Sequence, residues 1–202
     1  MDYKFLVLIF VLLILWYFNK SYIIHENNYS QITKQGNNIR KIFKHQPNVP
    51  IKKQVEINNN SGVSPKILKY GSNFMIMEHA DITLRDMFYY FKLDKSKIDK
   101  LIGLFRILDK YEYSHNDLNW RNIMWNNSQN KFQVIDWEFS TPREEKVPEI
   151  NDDMEYLRYN VYKIAGNVDY KNIELGCKML ENIYNNKGFL ENVKGLWLLL
   201  KY

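Results

Sequence analysis

The sequence predicts an α+β fold of two lobes, with strands in its first half and helices in its second half. Before residue 80, short apolar runs alternate with turn signals such as Gly36-Asn37-Asn38 and Gly71-Ser72-Asn73, which is typical of antiparallel strands. After residue 81, apolar residues recur with helical spacing. A length of 202 residues suits one compact domain, or two small lobes that share one cleft.

An apolar segment precedes both halves. Phe5 to Phe18 is an uninterrupted run of 14 hydrophobic residues, somewhat shorter than the ~20 residues of a membrane-spanning helix. No small-residue cleavage site of a signal peptide follows it. We therefore predict that residues 1–20 form an N-terminal hydrophobic helix that anchors the chain in a membrane as a single pass; a buried N-terminal helix is the alternative. Lys and Arg are more frequent after the run than before it, which predicts a cytoplasmic location for the rest of the chain.

Residues 21–78 are predicted to form a small antiparallel sheet with one helix. The segment Ile51–Asn58 follows two prolines and places Val55 on an apolar side, which predicts a short helix. Short runs rich in β-branched and aromatic residues predict the strands. These strands are Tyr22–Ile24, Tyr29–Thr33, Ile39–Phe43, Ile67–Tyr70 and Phe74–Met77.

Residues 82–202 are predicted to be mainly helical, so that they form a second lobe joined to the first between residues 78 and 82. Apolar residues from Ile98 to Leu108 fall on one helix face. One helix is predicted to begin at Thr83, and one short strand to cover Phe132–Ile135. The remaining predicted helices are Ser96–Tyr111, Asp152–Ala165, Lys171–Tyr184 and Gly195–Tyr202.

Composition excludes some classes of function. The net charge of +5 comes from scattered Lys and Arg residues, so charge alone gives no reason to expect a nucleic-acid partner. Cys177 is the single cysteine, which excludes an intrachain disulfide and any multi-cysteine metal site. No pattern in the sequence indicates an oligomeric state.

Two motifs carry residues that suit phosphoryl transfer. This reaction needs a carboxylate that orients the acceptor hydroxyl, oxygen ligands for Mg2+ and a cation on the phosphates. His115, Asp117 and Asn122 stand in a His-x-Asp-Leu-x-x-x-Asn pattern. Asp136 follows a short apolar strand, within the run Ile135-Asp136-Trp137-Glu138. The spacing supplies a candidate base and two candidate metal ligands.

Residues 113–139 resemble the catalytic loop and metal-binding segment of the protein-kinase-like superfamily. Within it they are most similar to the aminoglycoside and choline kinase branch, which often carries Ile-Asp-Trp-Glu where protein kinases carry Asp-Phe-Gly. The resemblance implies a two-lobed kinase-like fold with a minimal C-terminal lobe, and the cofactors ATP and Mg2+. It places Asp117 at the catalytic-base position, and Asn122 and Asp136 at the metal-ligand positions.

The resemblance extends into the first lobe through three more features. Lys41, in the third predicted strand, takes the position of the basic residue that contacts the α and β phosphates, although a shift in register would give that role to Arg40 or Lys44. Glu56, on the following helix, takes the position of its ion-pair partner. Backbone groups of Glu78, His79 and Ala80 take the position of the interlobe hinge that binds adenine.

The sequence also departs from the kinase-like pattern. No glycine-rich loop precedes the third strand, and His25-Glu26-Asn27-Asn28 stands in its place; side chains in this loop hold phosphates at a greater distance. Two functions are therefore considered. The first is an ATP- and Mg2+-dependent kinase acting on a hydroxyl of a small molecule or of a protein Ser or Thr. The second is a membrane-tethered pseudokinase scaffold that binds a partner protein.

Overall fold

The structure is a computed structural model that describes residues 22–90, 92–144, 146–165 and 170–185. The predicted anchor at residues 1–20 and the predicted helix at residues 195–202 lie outside these ranges. Within the described ranges, every helix is too short or too polar to cross a membrane.

The first lobe (N-lobe) is built on a five-stranded antiparallel sheet with the order β1-β2-β3-β5-β4. The β2–β3 turn contains Gly36 with a positive φ of 56°, a conformation that glycine adopts without steric cost. Both edge strands are largely exposed. The strands are β1 (Tyr22–Glu26), β2 (Ser30–Gln35), β3 (Asn38–Phe43), β4 (Ile67–Tyr70) and β5 (Phe74–Glu78).

Helix α1 (Ile51–Ser61) packs on this sheet. It follows Pro50, and it ends at Gly62, whose φ of 69° lies in the left-handed region. Ile51 and Val55 are buried on the inner side of the helix, where they join a small apolar cluster with Phe43, Ile67 and Met75 on the sheet. The predicted helix ended three residues too early, because the Asn-rich end of α1 looked like a turn.

The second lobe (C-lobe) has the larger core. Its elements enclose a continuous buried cluster that includes Leu84, Ile98, Phe105 and Leu157. Asp94 caps the longest of its described helices, since its carboxylate accepts the Lys97 N–H at 2.9 Å. The helices are α2 (Leu84–Tyr89), α3 (Lys95–Lys110), α4 (Asp153–Ala165) and α5 (Tyr170–Tyr184), with one 3-10 turn at Trp137–Phe139.

Two small sheets complete the C-lobe and position the loops of the cleft. One has the order β6-β8-β9, and the other pairs β10 with β7. The predicted α+β architecture is thereby confirmed, and strand β9 was predicted. The other four strands of the C-lobe were not, because they are short and follow tertiary pairing rather than a local pattern. The strands are β6 (Ile82–Thr83), β7 (Tyr113–Ser114), β8 (Ile123–Asn126), β9 (Lys131–Val134) and β10 (Thr141–Pro142).

Two glycine substitutions are expected to change stability in opposite directions. Neither Gly62 nor Gly103 has a neighbour within 4 Å of the position that a Cβ would take. Gly62→Ala should lower the free energy of unfolding by about 1 kcal/mol, because the left-handed conformation penalises a Cβ. Gly103→Ala, inside α3, should raise it by up to about 1 kcal/mol, because alanine favours the helix. Urea unfolding midpoints of the two variants and the wild type measure the difference, and equal shifts would contradict the assignment.

Candidate active site

A cavity of about 560 Å3 lies between the two lobes. Ile32 and Ile39 line it from the N-lobe sheet, and Met124 and Ile135 line it from the C-lobe. Lys41, Asn122 and Asp136 add polar groups to this mainly apolar surface. An apolar cavity with a few convergent polar groups is the usual form of a small-molecule site.

Lys41 projects from β3 into this cavity and is only 7% exposed. Its Nζ donates to Asp136 Oδ1 at 2.7 Å and lies 3.4 Å from Glu138 Oε2. Of the two other candidate cations, Arg40 stacks over the Phe74 ring, and Lys44 forms an ion pair with Glu26. In the structure, therefore, Lys41 rather than Arg40 or Lys44 contacts Asp136, the predicted metal ligand.

Asp136 has a left-handed backbone with φ 68° and ψ 63°. This conformation costs roughly 1–2 kcal/mol in a non-glycine residue, so neighbouring contacts must hold it. The residue before Asp136 is fixed on both sides, since Ile135 N–H donates to Asn122 O and Ile135 O accepts from His115. The residue after it, Trp137, is 2% exposed and donates its indole N–H to Ser64 Oγ at 2.8 Å.

His115 is a buried, neutral histidine that connects the two motifs. Its Nδ1 accepts the Asp117 N–H at 3.3 Å, so its Nε2 carries the proton and donates to Ile135 O at 2.9 Å. Burial lowers the pKa of His115 below its usual value near 6.5, although Ile135 O and the carboxylates of Asp136 and Asp117 act in the opposite direction. His115 therefore positions both aspartates as a neutral residue.

Asp117 is exposed and is not among the residues that line the cavity, but its neighbour Asn122 is. Two amides orient the Asp117 carboxylate. Asn122 Nδ2 donates to Asp117 Oδ2 at 3.0 Å and to Asp117 O at 2.9 Å. Asn119 Nδ2 donates to Asp117 Oδ1 at 3.3 Å. These bonds use the amide nitrogen of Asn122, so they leave its amide oxygen, the atom that binds cations, available.

The residues present fit a Mg2+ ion that is shared with phosphates. Among the described residues, no group of three or more His, Cys, Asp or Glu side chains could hold a metal ion. Asn122 and Asp136 line the same cavity and offer one amide oxygen and one carboxylate. Mg2+ commonly takes one or two protein oxygens and completes its coordination with substrate phosphates and water.

The structure corrects the predicted place of Glu56. Its side chain lies on the outer face of α1, where it forms an exposed ion pair with Lys53 at 3.5 Å. The inner face carries Gln54 and Asn58, which line the cavity. They donate to the carbonyls of Val49 at 2.7 Å and Pro65 at 2.6 Å. The buried positions Ile51, Gln54, Val55 and Asn58 follow helical spacing. This spacing was the sequence signal that could have placed Glu56 on the outer face of the helix.

Glu138 is a site residue that the sequence prediction missed. It stood inside the motif Ile-Asp-Trp-Glu, but nothing in the local pattern shows that its carboxylate approaches a lysine 97 positions away. The only available signal was its position two residues after Asp136 in a tight turn.

The predicted hinge lines the cavity, although two of its N–H groups are already engaged. Glu78 N–H donates to Lys66 O, and His79 N–H donates to Asn37 O, both at 3.0 Å. Ala80 is buried against the cavity, and no acceptor within the described ranges takes its N–H. Ala80 N–H is thus the one N–H group of the hinge that no described residue accepts. The role of residues 78–80 in adenine binding stays a prediction.

The loop at the glycine-rich position is closed by its own side chain. Asn27 Oδ1 accepts the N–H groups of Tyr29 at 2.8 Å and Ser30 at 2.7 Å. Lys44 Nζ donates to Glu26 and to Asn27 O on the outer side. His25, Asn27 and Ser30 line the cavity from this loop. The N–H groups of Tyr29 and Ser30 are therefore already hydrogen-bonded, whereas a glycine-rich loop would leave such groups available for a phosphate.

Comparison with known proteins gives structural matches only. No protein-family model matches the sequence, and no curated protein matches it. The structure is similar to that of a choline/ethanolamine kinase family protein from Mesorhizobium loti, with a TM-score of 0.52 at 12% identity, over 91% of this chain and 88% of that chain. The chain has a protein-kinase-like fold.

A second kinase structure, the Cydia pomonella granulovirus kinase PK-1, aligns less closely. Its TM-score is 0.47 at 16% identity, over 92% of this chain and 78% of that chain. At these identities the similarity concerns the fold. The kinase-like fold that the resemblance of residues 113–139 implied is confirmed by the first of these two structures.

The buried His115 predicts that stability falls on acidification. Below pH 6.5 this histidine is protonated in the unfolded chain, whereas in the folded chain it stays neutral. The free energy of unfolding therefore rises with pH between the folded-state pKa of His115 and 6.5. The slope approaches about 1.4 kcal/mol per pH unit for one histidine. His115→Gln should remove this part of the slope in urea titrations between pH 5 and 7. Burial also lowers the pKa of His79, so a residual slope is expected, and an unchanged slope would contradict the assignment.

Proposed function

We propose that this chain is a kinase that uses ATP and Mg2+ and transfers the γ-phosphoryl group to a hydroxyl acceptor. The observation that carries the proposal is that Lys41, Asn122 and Asp136 converge on one interlobe cavity, and that Asn122 also donates to the Asp117 carboxylate. The kinase-like fold supports a phosphotransferase of this class.

Each residue has a separate role in the proposed reaction. Lys41 holds the α and β phosphates as a cation, and Asn122 and Asp136 hold Mg2+, which neutralises charge on the phosphates. Asp117 orients the acceptor hydroxyl and takes its proton. The acceptor oxygen then forms a bond to the γ phosphorus while the bond to the bridging oxygen breaks, and ADP leaves. His115 remains neutral and keeps both aspartates in place.

The nucleotide base is proposed to lie against the hinge. The apolar side chains of Ile32, Ile39, Met124 and Ile135 line the cavity and suit a planar aromatic ring. Ala80 N–H is the donor that the hinge offers, because the N–H groups of Glu78 and His79 are engaged. The proposal covers both acceptor classes, a small-molecule hydroxyl and a protein Ser or Thr.

A second function, a pseudokinase scaffold that binds a partner protein, has one specific observation in its favour. The loop around Asn27 keeps two N–H groups for its own turn, so it offers phosphates less backbone contact than a glycine-rich loop does. This function predicts a folded chain that gains no stability from ATP and Mg2+.

A nucleotide titration of the full chain separates these functions. Mg·ATP at 100 times its dissociation constant should stabilise the wild type by about 2.7 kcal/mol. Asp136→Asn should lose the Mg2+-dependent part, because asparagine tolerates the left-handed backbone but lacks the charge. Asp117→Asn should keep this stabilisation and lower turnover by about 10²–10⁴-fold, since Asp117 acts on the acceptor. Thermal shifts and an ADP-release assay measure the two effects.

The exposed Asp99→Asn on α3 is the control, and it should match the wild type in both assays. Stabilisation by ATP that survives without Mg2+ and in Asp136→Asn would refute the metal assignment. Wild-type protein that is folded but not stabilised by Mg·ATP would favour the scaffold function.

We also propose that residues 5–18 anchor the chain in a membrane, with the kinase-like part on the cytoplasmic side. The support is the sequence alone, namely 14 consecutive hydrophobic residues followed by an excess of Lys and Arg. Leu12→Lys should move the chain from the carbonate-resistant membrane fraction to the supernatant, because lysine at a helix centre costs about 2.5–3.5 kcal/mol on insertion. Ile107→Lys, at an exposed position of α3, should remain in the membrane. Release of the wild type by carbonate would refute the anchor.

A further inference from the structure

Lys41 has two carboxylate partners, and both lie on the same segment of the C-lobe. Asp136 Oδ1 is 2.7 Å from Nζ and Glu138 Oε2 is 3.4 Å from it. The Lys41 side chain is 9% exposed, and that of Glu138 is 19% exposed. Charges this far from water interact more strongly than surface ion pairs do.

Helix α1 supplies no partner for Lys41. Glu56 is the only acidic residue of α1, and it points outward toward Lys53. The two residues of α1 that line the cavity, Gln54 and Asn58, are held by the carbonyls of Val49 and Pro65. Both amides are uncharged, so neither could balance the charge of a buried lysine.

Glu138 is held in place by the turn that contains it. Trp137, on one side, is buried and bonded to Ser64. On the other side, Asn116 Nδ2 donates to Phe139 O at 2.9 Å, and Ser140 Oγ donates to Trp137 O at 2.8 Å. The backbone on both sides of Glu138 is therefore fixed by bonds to the core and to the catalytic loop.

We propose that Glu138 is the positioning residue that keeps Lys41 in place for the nucleotide phosphates. This inference rests on the proposed function. A Mg2+ ion on Asp136 would leave one carboxylate between two cations, and Lys41 would be repelled from the site. The second carboxylate keeps Lys41 paired while Asp136 holds the metal. Glu138 thus has the role that Glu56 was predicted to have, but it acts from the C-lobe.

The two glutamates make a matched experiment in the full-length chain. Glu138→Gln should raise the dissociation constant of Mg·ATP by about tenfold, the effect of losing one bond to a charged group. Glu56→Gln should leave it within about twofold, because exposed ion pairs contribute little. Glu138→Asp keeps the charge and should recover part of the affinity. Calorimetric titration measures these constants, and the urea midpoint checks that each variant is folded.

A second measurement does not depend on nucleotide. Trace acylation with acetic anhydride, read by peptide mass spectrometry, reports how firmly Lys41 is held. Glu138→Gln should raise the acylation rate of Lys41 severalfold, while Glu56→Gln should leave it unchanged. Lys52, which is exposed on α1, provides the internal reference in each sample.

The two measurements separate the inference from the proposed function. Wild-type protein that binds no Mg·ATP would refute the proposed function, and the acylation rates would still decide whether Glu138 holds Lys41. An acylation rate of Lys41 unchanged in Glu138→Gln would overturn the inference. So would Glu56→Gln weakening Mg·ATP binding as much as Glu138→Gln does.

Discussion

The ion pair between Lys41 and Asp136 is the contact on which the site depends. It joins β3 of the N-lobe to the segment after β9 of the C-lobe through a distance of 2.7 Å. A lysine that is 7% exposed needs such a partner, because an unpaired charge at that depth is strongly disfavoured. The pair therefore links the two lobes and fixes the position of a cation in the cleft. Removal of either member would leave the other charge without its nearest partner.

Packing beneath the cleft holds the acidic side of this pair. Asp136 has a left-handed backbone, and it keeps it because Ile135 is bonded on both sides and Trp137 is anchored in the core. The neutral His115 connects this segment to the loop that carries Asp117. Stability and chemistry are thus linked here, since Trp137 and His115, which help to fix the aspartates, are themselves buried. A substitution that loosens the packing of Trp137 is therefore expected to displace the Asp136 carboxylate.

Much of this arrangement could be predicted from local patterns. The strands of the N-lobe follow turn signals, the long helix α3 follows apolar spacing, and Lys41 and Asp136 stand in motifs that the structure brings to one cavity. Glu56 was misplaced because its assignment followed the resemblance, whereas the apolar positions Ile51 and Val55 already place Glu56 on the outer face of the helix. Glu138 was missed because its partner is distant in sequence. No motif in the sequence indicates the acceptor.

The loop around Asn27 has a consequence for any ligand that enters the cleft. The Asn27 side chain closes the turn through its own hydrogen bonds, so this part of the cleft wall is already ordered, and a ligand that binds against it orders little further backbone. A rearrangement of the loop onto such a ligand would first have to break the bonds that Asn27 accepts from Tyr29 and Ser30. This part of the cleft therefore resembles a preformed surface rather than one that closes on its ligand.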